Sequence, residues 1–311
     1  MVRGALAAET ALALLTSCAS WSPSSYVSTE AGPRSGEIVA SNDPDHVVVA
    51  IGDEIRVVDV ANGAIVARAT IDAGQPALLA VSPDGAKIVV GTWDGTLTAL
   101  ALRGRRLEIT RKRQSTQQHA LVALAFSPDG AWLAAMQQYE GVSIFPGGDL
   151  GREPMRVGLV EGPLEGAFFR PDGDLVVVRP DSVDRFHGPP FVPVGSMSAP
   201  RAGWIVDPDG QPVELKRRCE HHAWSRDGEV VACIDDGLVL CTDPSTCKEI
   251  EMPAAVGVPQ CISDAPDGFV VGGEGSVAAT VGVHGDVHTF FVDGVIDTPA
   301  PTRGDAHQAP R

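Results

Sequence analysis

The sequence predicts an all-β fold, a single β-propeller of four-stranded blades, and three observations predict it. First, a turn signature recurs: Ser82-Pro83-Asp84-Gly85, Ser127-Pro128-Asp129-Gly130, Arg170-Pro171-Asp172-Gly173, Ser225-Arg226-Asp227-Gly228 and Ala265-Pro266-Asp267-Gly268, with a degenerate copy at Asn42-Asp43-Pro44-Asp45. Second, the steps between these turns are 40, 45, 43, 55 and 40 residues, the period of propeller blades. Third, the turns lie between short apolar runs, such as 77–81 and 87–90 or 121–126 and 132–135. Those runs are too short for helices and suit buried strands.

Each element follows from local chemistry. Pro presets φ for the second position of a type I turn, Asp bonds to the nearby backbone, and Gly accepts the positive φ that comes next. Such a loop joins the strands of a hairpin. A second hairpin follows in most units; Ile55 to Val66 carries an Asn62-Gly63 turn between alternating strands. Two hairpins make a four-stranded blade. Six blades are expected, at residues 37–73, 76–113, 120–160, 164–218, 220–255 and 259–294, or seven if residues 20–36 join the carboxy-terminal tail. The fourth is oversized. Its excess falls near 182–199, reads as a loop insertion, and makes Phe186, His187 and Phe191 the binding-loop candidates. The tail at 295–311 is rich in Pro and polar residues and is expected to be disordered.

The segment from Ile55 to Leu100 resembles a repeat of the WD-repeat-like and YVTN-type propeller superfamily. It carries Val57-Val58-Asp59, Asn62-Gly63, Gly74-Gln75-Pro76, Ala80 to Gly85, Val89-Val90-Gly91 and Asp94-Gly95-Thr96-Leu97. The likeness extends more faintly over about residues 37–294. The regular Gly-His and Trp-Asp dipeptides of WD repeats are missing, and Trp93-Asp94 is a single match in a turn. The resemblance therefore implies architecture and not activity, because propellers host scaffolds, receptors, lyases and hydrolases alike.

Leu14-Leu15-Thr16-Ser17-Cys18 resembles a bacterial lipobox behind Arg3 and an Ala/Leu-rich run, although Glu9 interrupts the apolar region. The resemblance implies a signal peptide over 1–17 and lipidation of Cys18. Residues 18–36 then form a Ser/Pro-rich tether, and the rival readings are plain periplasmic or secreted export, or a cytoplasmic protein with a frayed terminus. The other cysteines are Cys219, Cys233, Cys241, Cys247 and Cys261. In an exported chain, clustered cysteines read as disulfides before buried thiols or zinc. Cys241 and Cys247 flank a turn and can face each other across a hairpin. Among Cys219, Cys233 and Cys261 one pair could bridge strands, leaving one thiol. No Cys-x-x-Cys pair exists, and His221 and His222 point to opposite faces of a strand.

Acidic residues outnumber basic ones by 40 to 24, a net charge of −16, which disfavours nucleic acid and anionic membrane surfaces as partners. One basic run breaks the trend: Arg103, Arg105, Arg106, Arg111, Lys112 and Arg113. It falls on the last strand of the second blade, where charge guards an outer edge or forms a docking patch for an acidic partner. His284 and His288 bracket a hairpin turn without matching ligands. There is no Gly-x-Ser-x-Gly elbow, no phosphate-cradling loop and no calcium loop, so no catalytic residue, metal or cofactor is expected. The preferred reading is a monomeric, lipid-anchored envelope scaffold that binds another envelope protein or cell-wall material. The alternative is an exported lyase or hydrolase with its site in the central channel, which requires converging titratable groups there.

Overall fold

A computed structural model describes residues 38–40, 45–72, 76–92, 94–114, 121–137, 141–157, 164–198, 204–215, 219, 221–225, 227–234, 237–243, 246–265, 267–273 and 277–291. The signal-peptide segment, Cys18, the tether and the tail lie outside these residues. The described elements are strands, arranged as six four-stranded antiparallel blades of a β-propeller. Blade one is β1 (Ile38–Ala40), β2 (His46–Ile51), β3 (Glu54–Asp59) and β4 (Ile65–Thr70). Blade two is β5 (Pro76–Val81), β6 (Lys87–Thr92), β7 (Leu97–Arg103) and β8 (Arg106–Arg113). Blade three is β9 (Leu121–Phe126), β10 (Trp132–Gln137), β11 (Gly141–Pro146) and β12 (Met155–Val157). Blade four is β13 (Gly166–Phe169), β14 (Leu175–Val178), β15 (Ser182–His187) and β16 (Val192–Ser198). A two-stranded sheet follows, β17 (Trp204–Val206) and β18 (Pro212–Glu214). Blade five is β19 (His221–Trp224), β20 (Val231–Ile234), β21 (Leu238–Asp243) and β22 (Thr246–Ile250), and blade six is β23 (Pro259–Ala265), β24 (Gly268–Gly273), β25 (Val277–Gly282) and β26 (Val287–Phe291).

The core lies between blades rather than within one layer. A middle strand such as β6 is covered on both faces, so its positions 88–92 are all buried, which is why these strands read as continuous apolar runs instead of alternating ones. One cluster runs from Val48 and Ile55 of blade one through Leu79 and Leu100 of blade two to Phe126 and Phe145 of blade three. The ring closes by packing: Val47, Val49 and Val58 of blade one meet Val270, Ala278 and Phe290 of blade six, and β1 lies against β23.

The oversized fourth blade is corrected. Residues 182–198 are not a loop insertion but the third and fourth strands of blade four, with Ser182 opposite Ser198. The surplus is the hairpin β17–β18, whose turn Asp207-Pro208-Asp209-Gly210 is one more copy of the recurring signature. The 55-residue step is thus a 37-residue step to Gly210 and an 18-residue step to Gly228, and the second is half a blade long. This half blade occupies its own place in the ring. Val206 and Trp204 pack on Phe168, Val176 and Val183 of blade four, and Ile205 and Val213 pack on Val231 and Val239 of blade five. Its turn continues the ring of turns: a Cβ on Gly228 would lie 3.5 Å from Pro208, as one on Gly130 would lie 3.4 Å from Pro83. The seventh position is therefore filled between blades four and five.

Candidate functional site

Antiparallel alternation puts every first–second and third–fourth turn of a blade on one face of the ring. Three of these turns are built alike. Ser82, Ser127 and Ser225 donate a hydroxyl hydrogen bond to Asp84, Asp129 and Asp227 at 2.5, 2.6 and 2.5 Å. The same hydroxyls accept the backbone N–H of Lys87, Trp132 and Val230 at 2.9 Å. The following glycines, Gly85, Gly130 and Gly228, take φ of 68°, 67° and 75°. The serine bond is the main reason that Asp84 and Asp227 titrate below the usual carboxylate range. Thr92 holds Asp94 low in the same way on the opposite face. The Asp94 carboxylate also accepts the Thr96 N–H at 3.0 Å, which lowers it further.

Blade four departs from this pattern. Arg170 replaces the serine, and an ionic cluster replaces the hydroxyl bond. Asp174, with 2% of its side chain exposed, takes Arg185 Nε at 2.6 Å and His187 Nδ1 at 2.6 Å. Arg170 reaches Asp172 at 2.9 Å, Asp174 at 3.8 Å and Asp209 of the half blade at 3.5 Å, while Arg185 also meets Asp172 at 3.2 Å. Burial on its own pushes the Asp174 carboxyl up, but the hydrogen bonds and charges of Arg185 and His187 outweigh it and hold the group low. Nearby Asp207, dominated by burial, is pushed up. The Arg170–Asp209 pair carries the cluster across to the half blade.

The three binding-loop candidates separate. Phe186 and Phe191 are buried in the cluster shared by blades three and four. The Phe191 ring meets Trp132 edge-on at 5.7 Å and Phe169 at 6.0 Å, so both phenylalanines are core and not contact surface. Apolar side chains on a strand that a neighbouring blade covers become packing residues. His187 alone reaches solvent, 71% exposed beside Asp174.

The basic run divides as well. Arg113 lies 5.5 Å over the Phe145 ring, donates to the Leu150 and Arg152 carbonyls at 3.3 and 3.0 Å, and meets Glu153 at 3.3 Å. Lys112 donates to the Asp72 carbonyl. These contacts tie the outer strand of blade two to blades one and three. Arg103 meets Glu108 at 3.8 Å. Arg105 and Arg106 are exposed and make no ion pair among the described residues.

Four cysteines pair as Cys219–Cys233 and Cys241–Cys247. Cys241 and Cys247 stand directly opposite on β21 and β22, and Cys219 ties the chain ahead of β19 to β20. The fifth, Cys261, lies on β23. His221 stands opposite Ile234 and His222 opposite Cys233, so the two imidazoles take opposite faces. Burial, and then the neighbouring His221, push His222 down to about 4. No group of three His, Cys, Asp or Glu among the described residues could hold a metal ion. His284 and His288 flank the turn at Gly285, and His288 lies 3.9 Å from Asp286 at the surface. Sequence reasoning missed the Arg170–Asp174–Arg185–His187 cluster; its only linear trace is Arg170 standing where other turns have Ser.

No family model matches the chain. The 66 kDa stress protein of Physarum polycephalum is 32% identical over 108 residues, which are 33% of this chain and 18% of that protein. Among solved structures, a chain of Kuenenia stuttgartiensis hydrazine synthase matches with a TM-score of 0.59 at 12% identity, covering 87% of this chain and 99% of that one. At such identity the likeness is one of fold alone.

Proposed function

We propose that the protein is a non-catalytic binding scaffold of the bacterial cell envelope, a monomer anchored through a lipid on Cys18. The observation that carries the reading is the pair of disulfides, Cys219–Cys233 and Cys241–Cys247. Disulfides persist in oxidising compartments, and both lie in the blade beside the half-built position, where fewer neighbouring strands contribute packing. The innermost strands favour a scaffold over a channel enzyme. Five of seven carry no His, Lys, Arg, Asp or Glu: β1, β5, β9, β13 and β17. The other two, β19 and β23, carry His221, His222 and Asp264. The partner is another envelope protein or cell-wall material.

The test is intact mass and membrane fractionation of the protein in a bacterial host, beside Cys18→Ser. The expected result is loss of residues 1–17, a diacylglycerol mass increment and membrane association for the native chain only. A full-length soluble cytoplasmic protein would overturn the anchor and the export with it.

A further inference from the structure

Outer strands β4 and β8 lie side by side where blades one and two meet. A groove of about 590 Å³ runs between them, within the range of roughly 300–1,000 Å³ usual for ligand sites. Its apolar lining is Ile65, Val66 and Ala67 from β4 and Leu107 from β8. Ala67 and Leu107 belong to the buried core, so this lining is rigid. Around it stand Arg68, Arg105 and Arg106, with Glu108.

The charge there is the inverse of the molecule's. The chain carries −16, yet three arginines line one groove. Arg68 is 70% exposed and meets Glu54 at only 3.6 Å. Arg105 and Arg106 have no ion pair among the described residues. Arg106 also stands directly opposite Arg103 in the ladder, and like charges facing each other across strands destabilise a sheet. A bound anion would relieve that repulsion. Beyond the groove, Ile109 is 49% exposed, on the same strand face as Leu107, since the two stand opposite Leu100 and Leu102.

We propose that this groove is the docking site for an acidic, extended segment of a partner protein. Apolar side chains of the segment lie on Ile65 and Val66, above the buried Ala67 and Leu107, and its carboxylates pair with Arg68, Arg105 and Arg106. Two features favour a peptide over other anions. A flat anionic bilayer cannot reach the lining of a groove between strands, and the acidic remainder of the molecule repels it. A polyanionic polymer without apolar groups leaves the lining unused. An extended chain of alternating acidic and apolar residues places one kind of side chain on the lining and the other on the rim. The inference rests on the scaffold reading and names its partner chemistry.

The experiment is fluorescence anisotropy of the purified protein with a labelled seven-residue peptide alternating Glu and Leu. The comparisons are the same peptide with Lys for Glu, one with Ser for Leu, and phosphatidylglycerol vesicles. The expected result is saturable, salt-sensitive binding of the Glu/Leu peptide alone. Arg105→Glu with Arg106→Glu should weaken it about tenfold or more, as loss and reversal of two charge pairs implies. Arg111→Glu, on the same strand outside the groove, should leave it unchanged. Absence of Glu/Leu binding, equal binding by the double variant, or a preference for the vesicles would overturn the proposal. Peptide binding needs no lipid, so a failed anchor at Cys18 and a failed groove are separate results.

Discussion

Asp174 is the buried centre of the ionic cluster of blade four, which Arg170 extends to Asp209 of the half blade. Its side chain is 2% exposed and takes Arg185 and His187 at 2.6 Å each. Asp174→Asn removes the buried charge that Arg185 and Arg170 face, at a cost on the order of 1–3 kcal/mol because Arg185 is 37% exposed, read as a lower urea midpoint with an unchanged slope. The sign of the pH effect follows from its lowered pKa: the carboxylate's stabilisation is complete above its ordinary value of 3.8 and is lost as pH falls below it. His222 works in a higher window. Its ordinary value is 6.5 and the fold pushes it to about 4, favouring the neutral ring. The unfolded chain therefore binds more protons between those values, and stability falls as pH drops from 6.5 towards 4. His222→Phe should flatten that slope, which amounts to on the order of 1–3 kcal/mol given the ring's partial exposure. Urea midpoints taken across both windows separate the two groups.

At the scale of elements, the half blade β17–β18 is the feature that needs support. A two-stranded hairpin alone is marginal in water, and this one is held by packing on both faces, by Arg170 to Asp209, and by Trp224 Nε1 donating to the Val206 carbonyl at 2.8 Å. The adjoining blade five carries both disulfides. They close loops with sequence separations of 14 and 6, so removing them by paired Cys→Ala changes should cost about 3 and about 2 kcal/mol from loop-closure entropy. Thermal unfolding of each double variant measures this, and equal losses would refute the loop-length argument. Glycine marks one close approach between blades: a Cβ on Gly91 of β6 would lie 2.1 Å from Leu121 Cδ2 on β9.

Among the described residues, no strand is shared between the first and last blades of the ring. Blade six is made of β23 to β26 and blade one of β1 to β4, so the seam relies on side chains such as Val49, Val270 and Phe290. Phe290 is 4% exposed. Phe290→Ala should cost about 3–5 kcal/mol and open the seam locally, seen as faster amide exchange in blades one and six with blade three little changed. Uniform acceleration through all blades would show that the ring unfolds as one unit.

The all-β propeller, its period and most of its strands are legible in the chain itself, because a Pro-Asp-Gly turn and two flanking apolar runs are local signals that need no partner. The Cys241–Cys247 pair is legible for the same reason, as the two flank one turn. Tertiary structure decides the rest. The 55-residue step looks like an insertion as long as Asp207-Pro208-Asp209-Gly210 is placed inside one blade; only its packing between blades four and five gives it a separate place. Phe186 and Phe191 look like loop residues until a neighbouring blade covers them. The Asp174 cluster and the groove between β4 and β8 join residues from different turns and different blades, and no linear pattern encodes a neighbour that the closing of the ring supplies.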